Sequence, residues 1–288
     1  MANPTTGSNV TRSIAQTSQY IKELWDREIQ EPFSRELQAA KLVSDRSGLV
    51  AGGGDIINIP FTSNVNARAK AASTNITYDS PEGAPVTIQI DKHYYVGVLI
   101  EDIVKVQSNY DLETAFKSRM AEALARQIDT DLLALYASAG TSVAGGAAID
   151  DADILAVVAA FDASNTPQSE RRGIVGPNSK IDLLGINKYN AYDQTGRPGT
   201  AVSKTDGLRL GTVYNMDLYM SQNVPTSTTG RNLFFHKDAI TLAQQKKPEF
   251  WIEKSVDALG WKTALSTVYG VGAVRPASII ELTRTTAP

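Results

Sequence analysis

The chain has no cysteine and only two histidines, His93 and His236, in 288 residues. Without cysteine there is no disulfide, no thiolate nucleophile and no sulfur-ligated metal site. The absence fits a protein made in a reducing cytoplasm. Two isolated histidines form neither a HExxH helix nor a His/Asp ligand cluster. His93 opens an apolar strand and His236 follows two phenylalanines, so each reads as a structural residue. No run approaches the roughly 20 apolar residues of a membrane span. The start, MANPTTGSNVTRSIAQ, lacks the apolar core of a signal peptide. The net charge of −3 includes no basic block, which excludes wrapping of nucleic acid by charge alone.

The short motifs are equally unproductive as chemistry. No GxSxG elbow is present. Gly270-Val271-Gly272-Ala273-Val274 runs into Arg275-Pro276 and lacks the third glycine of a dinucleotide fingerprint. Gly52-Gly53-Gly54 lacks the lysine and hydroxyl of a phosphate loop and enters a strand. Both clusters read as backbone hinges. Asp150, Asp151 and Asp153 read as a helix N-terminal cap with favourable dipole charge. Asn9-Val10-Thr11 and Asn75-Ile76-Thr77 match the glycosylation pattern but come without a secretory signal. No catalytic residue, cofactor or metal is expected, and the chain does not read as an enzyme.

What is present is a globular composition, 42% hydrophobic and 20% charged, in a mixed α+β order. A polar arm precedes helical patterns at 19–29 and 33–43, where Trp25 and Phe33 read as packing anchors. HYYVGVLIEDIVKV, apolar on both faces, predicts a buried strand through about Ile100. A long helix over 111–139 follows, capped by Asp111. Its stripe is Leu112, Phe116, Met120, Leu124, Ile128, Leu132 and Tyr136. Glu113–Lys117 and Glu122–Arg126 support the outer face. Gly140 stops this helix, which at 1.5 Å per residue is about 40 Å long. A Gly/Ala-rich linker at 140–148 leads to a second lobe: a helix in DDADILAVVAAFD, a strand in RRGIVGP and a helix start at 179–184. A polar excursion at 187–207 is long enough to be functional. β-type runs then continue to the end.

The most informative segment is 52–91. Ile57, Ile59 and Phe61 alternate with polar residues, and Val86, Ile88 and Ile90 return on one face. Between them lies a polar tip containing Arg68 and Lys70. Such a hairpin is marginal alone in water. The expected cover for its apolar face is another copy of the chain, which makes these eight residues the intersubunit contact candidates.

The succession of arm, hairpin, long helix, mixed lobe and terminal Tyr269-Gly270-Val271-Gly272-Ala273-Val274-Arg275-Pro276 resembles the major capsid protein of tailed bacteriophages. Their Hong Kong 97-type fold is shared with encapsulin nanocompartments. The resemblance implies an N-terminal arm over 1–50 and an extended loop over 51–92. A peripheral domain with the spine helix would take 93–148 plus 239–288, and an axial domain 149–238. It implies self-assembly through hexamers and pentamers, and packaged double-stranded DNA held without sequence-specific contacts. A portal, a decoration protein and a scaffold separate from this short arm are the other partners it implies. The encapsulin alternative would use Trp25 and Phe33 to hold cargo. A second alternative, a two-lobed small-molecule enzyme or binding protein, would have a ligand cleft near Gly140–Gly146.

Overall fold

A computed structural model describes residues 39–50, 52–62, 65–79, 83–101, 112–190, 209–226, 229–257 and 259–285. The helical patterns before residue 39, with Trp25 and Phe33, lie outside them, as do Asn9, the Asp111 cap and the interior of the 187–207 excursion. In chain order the elements begin with α1 (Ala39–Leu42), β1 (Ser44–Asp45), β2 (Ile56–Ile59), β3 (Val86–Gln89) and β4 (Lys92–Glu101). Next come α2 (Leu112–Leu133), β5 (Thr141–Ala144), α3 (Asp151–Ala163), β6 (Arg171–Val175), α4 (Pro177–Gly185) and α5 (Asn187–Asn190). The last are β7 (Arg209–Val213), β8 (Met216–Met220), β9 (Thr229–His236), β10 (Ile240–Ser255), β11 (Gly260–Ala273) and β12 (Ile279–Thr285).

Two sheets carry the body. The first has the order β1-β10-β11-β4, and the second β5-β12-β9-β6-β8-β7. The spine helix α2 lies on one face of the first sheet, where Met120 and Leu124 meet Leu265, Val96, Val98 and Phe250. Its later turn, Ile128, Leu132 and Leu133, packs with Phe235, Ile240, Tyr269 and Ile279. The four-residue stripe is therefore the buried face, as its periodicity requires. The regular helix is shorter than expected, about 33 Å at 1.5 Å per residue, because a 3-10 turn tightens residues Ala134–Ser138 before Gly140. Glu122 is held by Arg119 at 2.9 Å, not by Arg126.

The second sheet is covered on both faces. Helices α3 and α4 contribute Ile154, Val157, Phe161 and Leu183 to a core with Phe234, Leu218 and Leu282. Leu233, Phe235 and Ile174 point the other way, into the cluster under the spine helix. The two sheets therefore meet in a shared core. Strand β12 runs parallel to β5 and antiparallel to β9, so residues from both ends of the expected peripheral segment complete the sheet of the 149–238 segment.

The strand after the hairpin departs from expectation. Residues Lys92–Glu101 alternate between half-buried and exposed positions along most of their length. Tyr94, Val96 and Val98 face the spine helix, while Tyr95 and Leu99 are exposed. Among the described residues β4 is an edge strand hydrogen-bonded only to β11, so apolar residues on both faces do not make it internal.

One buried carboxylate ties three segments together. Asp129 of α2 is fully buried. It accepts from the Ala39 amide at 2.7 Å, Asn223 Nδ2 at 3.3 Å and Ser221 Oγ at 3.4 Å. Burial lifts its carboxyl above the ordinary 3.8, against the opposing pull of these neutral donors. The folded state thus holds this proton to higher pH than the unfolded chain. The resulting stabilisation is complete below the unfolded value and is lost as pH rises through the folded one. Asp129→Asn abolishes the titration. Wild type should gain stability relative to this variant as pH is lowered from neutral into the mildly acid range, read from denaturant unfolding. A stability difference that does not change with pH contradicts the assignment.

Candidate assembly surface

The extended loop is built from two short strands whose apolar residues alternate. Ile57 pairs with Ile88 and Ile59 with Val86, and the Ile90 amide closes the base on the Asp55 carbonyl at 2.8 Å. The chain enters through Gly53 and Gly54 at φ 105° and 108°, values that L side chains rarely adopt. Gln245 Nε2 donates to the Gly54 carbonyl at 2.8 Å.

The face carrying Ile57, Ile59, Ile88 and Ile90 is buried within the chain. It packs on Val50, Ala243 and Val274, with Phe61 and Val268 at the margin. This corrects the expectation that a second copy must cover it. The reason lies in β11, where Tyr269 and Val271 point toward the spine helix cluster and the alternate positions are Gly270 and Gly272. A Cβ on Gly270 would stand 2.3 Å from the Gln89 carbonyl oxygen, and one on Gly272 would stand 3.0 Å from Ile88 Cγ1. The glycines give β3 a flat surface on which to lie. Neither has the positive φ of a hinge. Of the candidate contacts, Ile57, Ile59, Ile88 and Ile90 thus seal the loop root to its own body, while Val86 and Phe61 are half-buried.

The tip is different. Residues 65–79 contain a turn, in which Thr74 Oγ1 donates to the Ala71 carbonyl at 2.8 Å, and no strand. Arg68, one of the intersubunit candidates, pairs with Asp79 of its own loop at 2.6 Å. Lys70 is exposed and has no acidic partner among the described residues. Val65, Ile76 and Tyr78 are exposed, Tyr78 to 89%. The tip thus presents apolar side chains around one internal ion pair.

A second exposed apolar surface lies on the sheet face that holds the loop root. The register aligns Trp251, Ala264 and Gly97 in one row across three strands. Tyr95 with Ser266 and Leu99 with Lys262 form the flanking rows. The root covers the Gly270–Gly272 end of this face; at the other end Tyr95 is 75% exposed and Trp251 55%. Sequence reasoning singled out none of these residues. The available signal was Tyr95 and Leu99 two positions either side of Gly97.

The remaining polar features serve the fold. Asp150 and Asp153 form a reciprocal capping box on α3. Asp151 accepts from Tyr189 at 2.6 Å, Tyr214 at 2.7 Å and Lys188 at 2.9 Å. Burial pushes its carboxyl up, and these hydrogen bonds outweigh it to leave the pKa below the ordinary value. His236 Nδ1 accepts from the Asp238 amide at 3.3 Å, and His93 is exposed. Among the described residues there is no group of three or more His, Cys, Asp or Glu able to hold a metal, and no helix long and apolar enough to cross a membrane. The hollow beside Gly140, about 380 Å³, is lined by Thr141, Ala160, Ala163, Ser164 and Ala277, without a titratable side chain.

The division between root and tip is measurable. Ile88→Ala empties a fully enclosed site and should cost the isolated subunit about 2–5 kcal/mol in denaturant unfolding. Tyr78→Ala should change it by no more than about 0.5 kcal/mol. Equal, small effects would mean that the root is not sealed in the free subunit.

The fold has clear relatives. A solved structure described as Mycobacterium phage Che8 superposes with a TM-score of 0.78 at 23% identity, covering 91% of this chain and 97% of that one. The mature capsid of bacteriophage PhiM1 gives 0.75 at 14% identity, with 93% of each chain covered. The head of Helicobacter pylori bacteriophage KHP40 gives 0.73 at 13%, with 97% and 100% covered. No curated protein matches in sequence. The family described as phage capsid protein matches residues 62–282, which run from the loop tip through the spine helix into β12, and the chain belongs to that family as a building unit of a phage head shell.

Proposed function

We propose that this chain is the major capsid subunit of a tailed bacteriophage, closing through hexamers and pentamers into an icosahedral head around double-stranded DNA. The observation that carries this reading is the contrast within the extended loop. Its root is satisfied by its own body, while Val65, Ile76 and Tyr78 at the tip remain exposed. A tip of this kind is covered by a second copy, and the open rows around Trp251, Tyr95 and Leu99 offer an apolar surface continuous with the face that seats the root. Lys70 adds a cation for an acidic group of the neighbour.

In this reading the segment 149–238 is the axial domain that meets its copies around the symmetry axes. Segments 93–148 and 239–288 form the peripheral domain around the spine helix. Assembly takes place in the host cytoplasm with a separate scaffold and a portal, and a decoration protein joins outside. The near-neutral charge suits a wall that confines DNA without gripping it.

Deleting residues 62–84 tests this directly. Because the root residues pack on the subunit itself, the variant should stay folded and monomeric, with a circular dichroism spectrum close to that of wild type. It should form no shells or capsomer rings in negative-stain electron microscopy, with or without a co-expressed scaffold, under conditions where wild type does. Closed particles built from the deleted chain would overturn the assigned contact. Wild-type particles filled with a host protein in place of DNA would identify a cargo compartment.

A further inference from the structure

The extended loop is fixed to the body at two kinds of place. At the entry no heavy atom lies within 4 Å of a Cβ position at Gly53 or Gly54, and the ties to the body there are hydrogen bonds, from Gln245 Nε2 to the Gly54 carbonyl and from the Gly53 amide to the Val50 carbonyl. The exit is tightly held. Strand β3 ends at Gln89, and after Ile90 and Asp91 the chain becomes β4, whose Lys92 is already in register with Tyr269. At this corner the main chain of Gln89 and Ile90 lies directly on Gly270, with the Gln89 carbonyl oxygen 2.3 Å and Ile90 Cα 3.1 Å from where a Cβ would stand. Gly272 differs in kind. Its neighbours are side-chain atoms of Ile88, Cγ1 at 3.0 Å and Cγ2 at 3.3 Å.

We propose that Gly270 sets the pitch of the extended loop against the body, and through it the angle at which one capsid subunit meets the next. A methyl group on Gly270 meets backbone, which no rotamer change removes, so the corner must lift. A lift of about 1 Å at one end of a seat two residues long, about 7 Å at strand spacing, tilts the loop by roughly 8°. The arms of the tip reach up to about 40 Å if extended, so the tip moves by roughly 5 Å. The uncrowded entry at Gly53–Gly54, tied by hydrogen bonds and not by packed backbone, lets the root tilt without unfolding. A methyl on Gly272 meets only Ile88, and shortening that side chain restores the space. The same sheet face thus holds one contact that side chains can repair and one that they cannot. The consequence for subunit angle rests on the proposed role of the tip as the contact between copies; the pitch itself does not.

The absence of cysteine makes the pitch measurable without assembly. Spin labels at Ala71→Cys in the tip and Ala156→Cys on α3 report their separation by pulsed electron resonance in the full-length chain. Gly270→Ala should shift the mean separation by about 5 Å and should remain unrescued by Ile88→Ala. Gly272→Ala should shift it less, and Gly272→Ala with Ile88→Ala should return it to the wild-type value. Electron cryo-microscopy of assembled shells should show Gly270→Ala particles of altered diameter, or open tubes and sheets, with the loop tilted against β4. An unchanged label separation in Gly270→Ala overturns the seat. A shifted separation with particles of wild-type diameter overturns the link to subunit angle. If Gly270→Ala fails to fold, the Gly272 pair decides, and an Ile88→Ala change that does not reverse the Gly272→Ala shift sinks the proposal. Wild type that never assembles refutes the capsid contact, while the seat still stands or falls on the label separation.

Discussion

The phenol of Tyr269 is the point on which the rest of the structure turns. It is fully buried, donates to Asp131 of the spine helix at 2.8 Å, and stacks on Tyr94 at 5.9 Å between ring centres. Lys92, one strand over, completes the group with a 3.1 Å ion pair to Asp131. Burial, followed by the nearby carboxylate, holds the phenol well above its ordinary pKa, so it stays a hydrogen-bond donor at any physiological pH. Spine helix, central strand and edge strand are thereby held at one level. The next residue is Gly270, so the node that registers the helix on one face of β11 also positions the loop on the other.

This arrangement lets one chain meet two requirements that conflict. A shell subunit must remain soluble before it finds its neighbours, which argues against a large bare apolar surface. It must also keep enough apolar surface for those neighbours to cover. Here the strongly apolar root, four isoleucines, is closed against the subunit's own sheet, and the exposed apolar residues are dispersed, with Val65, Ile76 and Tyr78 on the tip and Tyr95, Leu99 and Trp251 on the open sheet face among them. Individually modest contacts suffice when repeated around a closed shell. An isolated subunit thus loses little by waiting.

The parts of the fold legible in the sequence were those dictated by local periodicity. Met120, Leu124, Ile128 and Leu132 recur every fourth residue and are buried on one helix face; the acidic cluster at Asp150, Asp151 and Asp153 reads as a helix N-terminal cap, and Asp150 caps α3. Alternation in the 56–59 and 86–89 strands likewise identifies the face that becomes buried. The reading of the glycines was less successful. Tyr269-Gly270-Val271-Gly272-Ala273 alternates bulky with bare, the pattern of a strand with one face reserved for close backbone approach. It is a seat, where the sequence alone suggested a hinge.

What the sequence determined by itself is therefore which residues turn inward, since that depends on the chain's own geometry, 3.6 residues per helical turn and two per strand repeat. What it could not determine is what covers each face. Ile88 is buried by Gly272 and Tyr95 is left open, although both lie on apolar strand faces. The outcome depends on segments almost two hundred residues apart in sequence, and only tertiary packing brings them together. Strand β4 makes the same point: apolar on both sides, it is an edge strand with one face uncovered. Burial of a face belongs to the pair of surfaces that meet, and the second surface is set by topology.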